Sequence, residues 1–135
     1  MYIYERKAHY HETDQMGVIH HSNYLRWMEE ARIEYLNAAN LNYKSLEDTG
    51  IISPIVSVNV EYKKPVKFDD VVLIKLQIVK YTGVSFEFDY DIVNKETGEL
   101  CIKAHTKSCF LRNGRVISIR RECPEYDKKL LENME

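Results

Sequence analysis

Between residues 22 and 39 the apolar positions Tyr24, Met28, Ala31, Tyr35 and Ala39 recur at spacings of three and four. That period predicts an amphipathic α-helix with one buried stripe, which Leu25 and Leu36 widen. Arg26, Glu29, Glu30 and Asn37 fall on the opposite side, and Ser22 is the predicted N-cap. A shorter helix follows around "YKSLEDTG" and stops at Gly50. After Gly50 the period drops to two. Val56, Val58, Val60 and Tyr62 alternate with Ser57, Asn59, Glu61 and Lys63, as in a half-buried strand. "VVLIKLQIVKY" and "VSFEFDYDIV" are two more strands, and the second carries Phe86, Phe88, Tyr90 and Ile92 on one face. Only "TG" separates them, which predicts a tight hairpin. "KETG" turns the chain into "ELCIKAHTKSCFL", and Asn113-Gly114 is the strongest short hairpin signal in the chain. "VISI" is then expected to close the sheet, with Pro124 in the first turn of a C-terminal helix. Residues 2–10 alternate weakly and are expected to form the first strand.

The order is strand, long helix, then about six short strands in all. One helix stripe covers one face of an antiparallel sheet, so the expected class is α+β in a single domain over residues 1–135. Neither an internal repeat nor a flexible linker divides the chain. The uncovered sheet face and edges point to self-association, because a free edge invites pairing.

Composition narrows the function more than the fold. Lys plus Arg number 19 against 21 Asp plus Glu, for a net charge of -2, and no long basic tract occurs. That argues against nucleic acid as a partner. The longest aliphatic block, "VVLIKLQIV", is broken by Lys75 and is too short to span a membrane. Charge at Glu5, Arg6 and Lys7 interrupts any signal-peptide pattern, so a cytoplasmic location is expected. Cys101, Cys109 and Cys123 are odd in number and lack zinc spacing, as reduced structural thiols would be. The even separation of Cys101 and Cys109 predicts one shared strand face.

The chemistry is concentrated in "YHETDQMGVIHHSNY", residues 10–24; four of the five histidines lie between His9 and His21. A metal site is the first candidate. His9 and His11 would share a strand face, but no His-Glu-x-x-His pattern occurs, and the adjacent His20 and His21 are expected to point apart. Zinc requires three or four converging ligands, so no metal is expected. Serine chemistry lacks a Gly-x-Ser-x-Gly elbow, and the cysteines lie far in sequence from the histidines. A carboxylate fits better. Asp14 lies in a turn-like stretch ending at Gly17, just before the helix. Backbone N–H groups at Gly17 and Val18 could hold a developing oxyanion, with Asp14 attacking a carbonyl or activating water. On the local pattern alone, Asp14 as a simple turn cap is the stronger reading.

"Y-x-E-T-D-Q-M-G-V-x-x-H-x-N-Y", "EEAR-x-E-Y-L" and "Y-K-K-P-V-K-F-D-D" together resemble the hotdog-fold acyl-CoA thioesterases of the 4-hydroxybenzoyl-CoA thioesterase and YbgC type. The resemblance implies a hotdog fold, an antiparallel sheet wrapped around a long central helix, acting as a homodimer or homotetramer. It implies hydrolysis of an acyl- or aroyl-CoA to free acid and CoA, with no cofactor and no metal. Asp14 becomes the catalytic carboxylate, and the backbone of Gly17 and Val18 polarises the thioester carbonyl. His21 and Tyr10 match assisting positions, whereas many relatives carry an aromatic residue at the place of His20. Lys63, Lys64, Lys107 and Arg112 are candidate contacts for the CoA phosphates. A hotdog hydratase or dehydratase and a non-catalytic acyl-CoA-binding module are the alternative readings.

Overall fold

The computed structural model describes residues 1–134. Strand β1 spans Tyr2–Lys7, helix α1 His21–Ala38 and helix α2 Tyr43–Asp48. The long strands β3 (Ile55–Tyr62), β4 (Val71–Tyr81), β5 (Ser85–Asn94) and β6 (Leu100–Cys109) follow, preceded by the two-residue β2 (Ile51–Ile52). The chain ends with β7 (Leu111–Arg112), β8 (Arg115–Val116), α3 (Ile119–Glu122) and α4 (Pro124–Glu132). The five longest strands form one antiparallel sheet in the order β1-β4-β5-β6-β3, and β2-β7-β8 form a second, small sheet. No helix among the described residues is long and apolar enough to cross a membrane.

Alternation explains how sheet and helix meet. Val72, Ile74, Leu76 and Ile78 of β4 are buried, as are Phe86, Phe88, Tyr90 and Ile92 of β5 and Ile102 and Ala104 of β6. Period-two patterning puts these on one face of the sheet, and α1 lies on that face. Trp27, Met28, Ala31, Tyr35 and Leu36 of α1 are buried, with the Tyr35 ring edge-on to Phe88 at 5.6 Å. Arg32 reaches the Tyr90 hydroxyl at 3.1 Å. The helix is thus wrapped by the sheet, as the resemblance implied.

Several expectations need correction. The first strand ends at Lys7, not at residue 10, because Ala8 leaves it to bond Asp70. Tyr10–Glu12 then form a 3-10 turn, so His9 and His11 are not strand neighbours. Ser22 is not the N-cap of α1. His20 is, and its Nδ1 accepts from the Ser22 N–H at 3.2 Å. Leu25 is exposed and adds nothing to the buried stripe. "VISI" does not close the main sheet: Val116 ends β8 of the small sheet and Ile119 opens α3. The strands number eight among the described residues, because three are only two residues long. Cys101 and Cys109 lose their common alternation. In β6, Leu100 pairs with Val93 and Ile102 with Ile92, so Cys101 sits in a bulge and is buried, whereas Cys109 is half-buried.

The turns behave as their residues dictate. Asn113 and Gly114 take φ of 53° and 75°, the paired positive angles of a tight hairpin turn between β7 and β8. Pro124 occupies the first turn of α4. Strand β3 ends the main sheet and pairs only with β6. Among the described residues its outer edge is unpaired, and Ile55, Val56, Val58 and Tyr62 are exposed along it, so the half-buried alternation expected of this strand is not found.

Candidate active site

The segment after β1 is held by one buried carboxylate. Glu12 is only 4% exposed, and it accepts from both terminal nitrogens of Arg6 at 2.8 Å and from the His9 N–H at 2.8 Å. It also accepts from Trp27 Nε1 at 2.9 Å, which ties the segment to the middle of α1. The Arg6 guanidinium lies over the Trp27 ring and bonds Glu30 as well. Burial alone would push the Glu12 carboxyl up; the Arg6, Trp27 and His9 donors outweigh it and hold the group below the usual range. The Glu12 carbonyl accepts from His20 N–H at 2.9 Å and from Asn23 Nδ2 at 3.0 Å, which fixes where α1 begins.

Asp14 lies in the turn that this anchor presents. Thr13 and Ile19 bridge across it, and the Asp14 N–H donates to the Val18 carbonyl at 2.8 Å. Asp14 Oδ1 accepts from the Met16 N–H at 2.8 Å and more distantly from the Val18 N–H at 3.4 Å. Gly17 has φ of 78°, a left-handed angle that a side chain would strain, and its N–H donates to the Asp14 carbonyl at 3.1 Å. The expected free donors at Gly17 and Val18 are therefore both turned toward Asp14. A donor left free at the helix entry lies elsewhere. Among the described residues the His21 N–H, first in α1, has no acceptor.

Asp14 and His21 line one open cleft of about 330 Å³ with Ile19, Tyr24, Tyr62, Lys63, Lys64 and Pro65. Tyr24 follows His21 by three positions on α1 and so shares its face. Its hydroxyl accepts from the Val66 N–H at 3.3 Å, and burial raises the phenol above its ordinary value. Ile19 donates to the Val66 carbonyl at 2.8 Å, so the 62–66 segment forms the far wall. Of the wall residues, only Lys63 and Lys64 were expected from the sequence, as candidate CoA contacts; Tyr24, Tyr62 and Pro65 were not singled out as site residues. The helical spacing from His21 was a signal for Tyr24; for Tyr62 and Pro65 the signal was the "Y-K-K-P" match that also contains the two lysines.

Other candidates are dispersed. Tyr10 is exposed outside the cleft, edge-on to Phe68 at 5.4 Å. The rings of His20 and His21 do not point apart; their centroids are 4.2 Å from one another. No group of three or more His, Cys, Asp or Glu among the described residues is arranged to hold a metal ion. Lys63 and Lys64 border the cleft and make only long ion pairs, with Glu61 at 3.3 Å and Glu99 at 3.7 Å. Lys107 is exposed on β6, and Arg112 is engaged with Glu122 at 2.9 Å; neither borders the cleft.

Residues 8–132 match the family model of the thioesterase-like superfamily. The chain belongs to that superfamily. Among its relatives is the Bacillus subtilis protein YneP, provisionally named an acyl-CoA thioesterase, 39% identical over 124 residues that cover 90% of this chain and 89% of YneP. The acyl-CoA thioester hydrolase YbgC of Escherichia coli O6:H1 is 31% identical over 90 residues, 67% of each chain. The crystal structure of a DHNA-CoA thioesterase from Staphylococcus aureus superposes with a TM-score of 0.92 at 34% identity, covering 96% of this chain and 88% of that one. The antiparallel sheet around α1 is accordingly the hotdog fold of these thioesterases.

Proposed function

We propose that this superfamily member hydrolyses an acyl- or aroyl-CoA thioester to free acid and CoA. The observation that carries the reading is one cleft bordered by both the Asp14 carboxylate and the residue that opens α1 with an unpartnered N–H. A thioester carbonyl pointed at the His21 N–H meets a donor at the positive end of a helix dipole, where charge on its oxygen is stabilised. Asp14 then attacks the carbonyl carbon or takes a proton from attacking water. In this reading the His21 main chain supplies what was expected of Gly17 and Val18, and those two hold Asp14 in place. The exposed ion pairs of Lys63 and Lys64 contribute little stability, so exchanging them for CoA phosphates is cheap. The three free thiols fit a reducing compartment, and we favour the cytosol.

A panel of acyl- and aroyl-CoAs with a thiol-release readout tests the reaction. Release well above buffer is expected for some member and should survive chelator treatment, since no step is assigned to a metal. A panel on which only enoyl absorbance changes would support a hydratase instead.

The bare edge of β3 supports a homodimer, with a homotetramer as the larger alternative, by antiparallel pairing of β3 with its copy. That pairing sets the Ile55 end of one strand beside the Tyr62 end of the other, so each cleft would adjoin its partner's chain. Val58→Lys puts a charge near the middle of the edge in both copies. Light scattering should then report a smaller species and the thiol-release rate should fall; a fully active wild-type monomer would exclude the shared site.

A further inference from the structure

A second cavity, of about 370 Å³, opens between the latter half of α1, Tyr43 of α2, and Ser53–Ile55 at the start of β3. Its walls are largely apolar, with Ile33, Leu36 and Phe86 among them. Its polar side chains are Arg32, Tyr43 and Ser53, which can donate, and Glu29, one helical turn before Arg32, which as a carboxylate only accepts. Arg32 borders it while only 8% exposed, and among the described residues the guanidinium makes a single hydrogen bond, to the neutral Tyr90 hydroxyl at 3.1 Å. That hydroxyl in turn meets Thr106 Oγ1 at 2.9 Å, so no carboxylate balances the charge from the core side. A guanidinium carries five N–H donors, and an unpaired buried charge is costly unless something completes it. Ser53 Oγ, on the opposite wall, is buried without a partner. The Ser53 N–H donates to the Tyr43 hydroxyl at 2.9 Å, so that hydroxyl has its own proton left to give. Arg32, Tyr43 and Ser53 therefore bring donors to one apolar cavity, with the Glu29 carboxylate also on its lining. Among the described residues that carboxylate makes no ion pair with Arg32. The ligand that completes the buried guanidinium has an apolar body and an accepting oxygen at its end.

We propose that this cavity selects the acyl group, and that Arg32 and Ser53 recognise an anionic or strongly accepting oxygen at the end remote from the thioester. This rests on the thioesterase reading and on the paired β3 edges. The Arg32 cavity adjoins the Ile55 end of β3 and the Asp14 cleft its Tyr62 end, so antiparallel pairing brings the cavity of one protomer against the cleft of its partner. The acyl chain would run from Asp14 of one subunit along the apolar walls of the other to Arg32. Arg32 and Ser53 are specificity-determining residues in this arrangement and take no part in bond breaking.

Matched thioesters test it, with glutaryl-CoA set against valeryl-CoA and a ring-hydroxylated aroyl-CoA set against the unsubstituted one. The oxygen-bearing member of at least one pair should be favoured in kcat/KM by about tenfold or more, the scale of a hydrogen bond to a charged group. Arg32→Met should bring that ratio close to unity, and Arg32→Lys should keep part of it. Ser53→Ala, which deletes one hydroxyl and spares the fold, should lower the same ratio by about threefold to tenfold. A ratio between two substrates is insensitive to general loss of stability. No preference in either pair, or one that Arg32→Met and Ser53→Ala both leave intact, overturns the proposal. If no thioester releases thiol, the thioesterase reading fails, and the cavity is then read by itself. In that case the Arg32 Nε–H resonance should shift saturably with benzoate and not with benzyl alcohol, and the absence of such a shift rejects the cavity's role.

Discussion

Asp14→Asn should reduce thiol release by about a hundredfold or more, the usual contribution of a positioned acid–base or nucleophilic group. The fold should survive the change. Asp14 holds its turn through one oxygen that accepts from the Met16 N–H, and an asparagine oxygen can accept the same bond. The melting temperature should therefore stay near that of the wild type, which separates loss of chemistry from loss of structure. His21→Ala should cost far less, because the helix-opening N–H stays with the backbone. Single turnover in heavy-oxygen water then divides two mechanisms. Label found in the Asp14 carboxylate supports a mixed anhydride formed by direct attack; label confined to the product acid supports general-base activation of water. A folded Asp14→Asn variant with near-wild-type release would remove Asp14 from the chemistry altogether.

Glu12→Ala is expected to give the largest loss of stability. Its carboxylate is the meeting point of Arg6, the His9 N–H and Trp27 Nε1, and removing it strands three buried or half-buried donors at once. Breaking a buried ion pair from one side costs about 3–5 kcal/mol. For a chain of this size that lowers the melting temperature by roughly 10–20 °C. Glu12→Gln keeps an acceptor and should lose less, about 1–3 kcal/mol. The pH dependence has a definite sign. Because the folded Glu12 carboxyl lies below its unfolded value, its contribution is fully present above the ordinary glutamate range and is lost as pH falls through the folded value. Wild type minus Glu12→Gln stability, measured by denaturant at several pH values, should shrink on acidification only. A difference that stays flat down to strong acid would show that the Arg6 contact contributes nothing.

The long elements were legible because their burial is periodic. The stripe from Tyr24 to Tyr35 and the alternation from Phe86 to Ile92 each repeat often enough to define a face. The two-residue strands β2, β7 and β8 contain no period to read, so "VISI" was open to misassignment. Helix entry was misread by two positions because Ser22 and His20 are both competent caps. The choice between them is made by tertiary bonds from His20 N–H and Asn23 Nδ2 to the Glu12 carbonyl. The near side of the cleft, Asp14 and His21, lies on local chain only seven positions apart and was visible. Its far side arrives from about forty positions downstream through the Val66 bonds to Ile19 and Tyr24, and no local pattern announces it. Tyr10 was assigned by likeness alone, and in this chain it packs on Phe68.

Trp27 is the only tryptophan of the chain, fully buried, bonded through its ring nitrogen to Glu12 and overlaid by the Arg6 guanidinium. Its emission is therefore an optical gauge of the knot that carries the Asp14 turn. A dry indole with a charged neighbour fluoresces at shorter wavelength than a hydrated one. Any event that loosens Glu12, whether acid, denaturant or a thioester pressing on the turn, should change that signal before the rest of the fold gives way. With no second indole to obscure it, stopped-flow fluorescence can time the opening and closing of this segment in the unmodified protein.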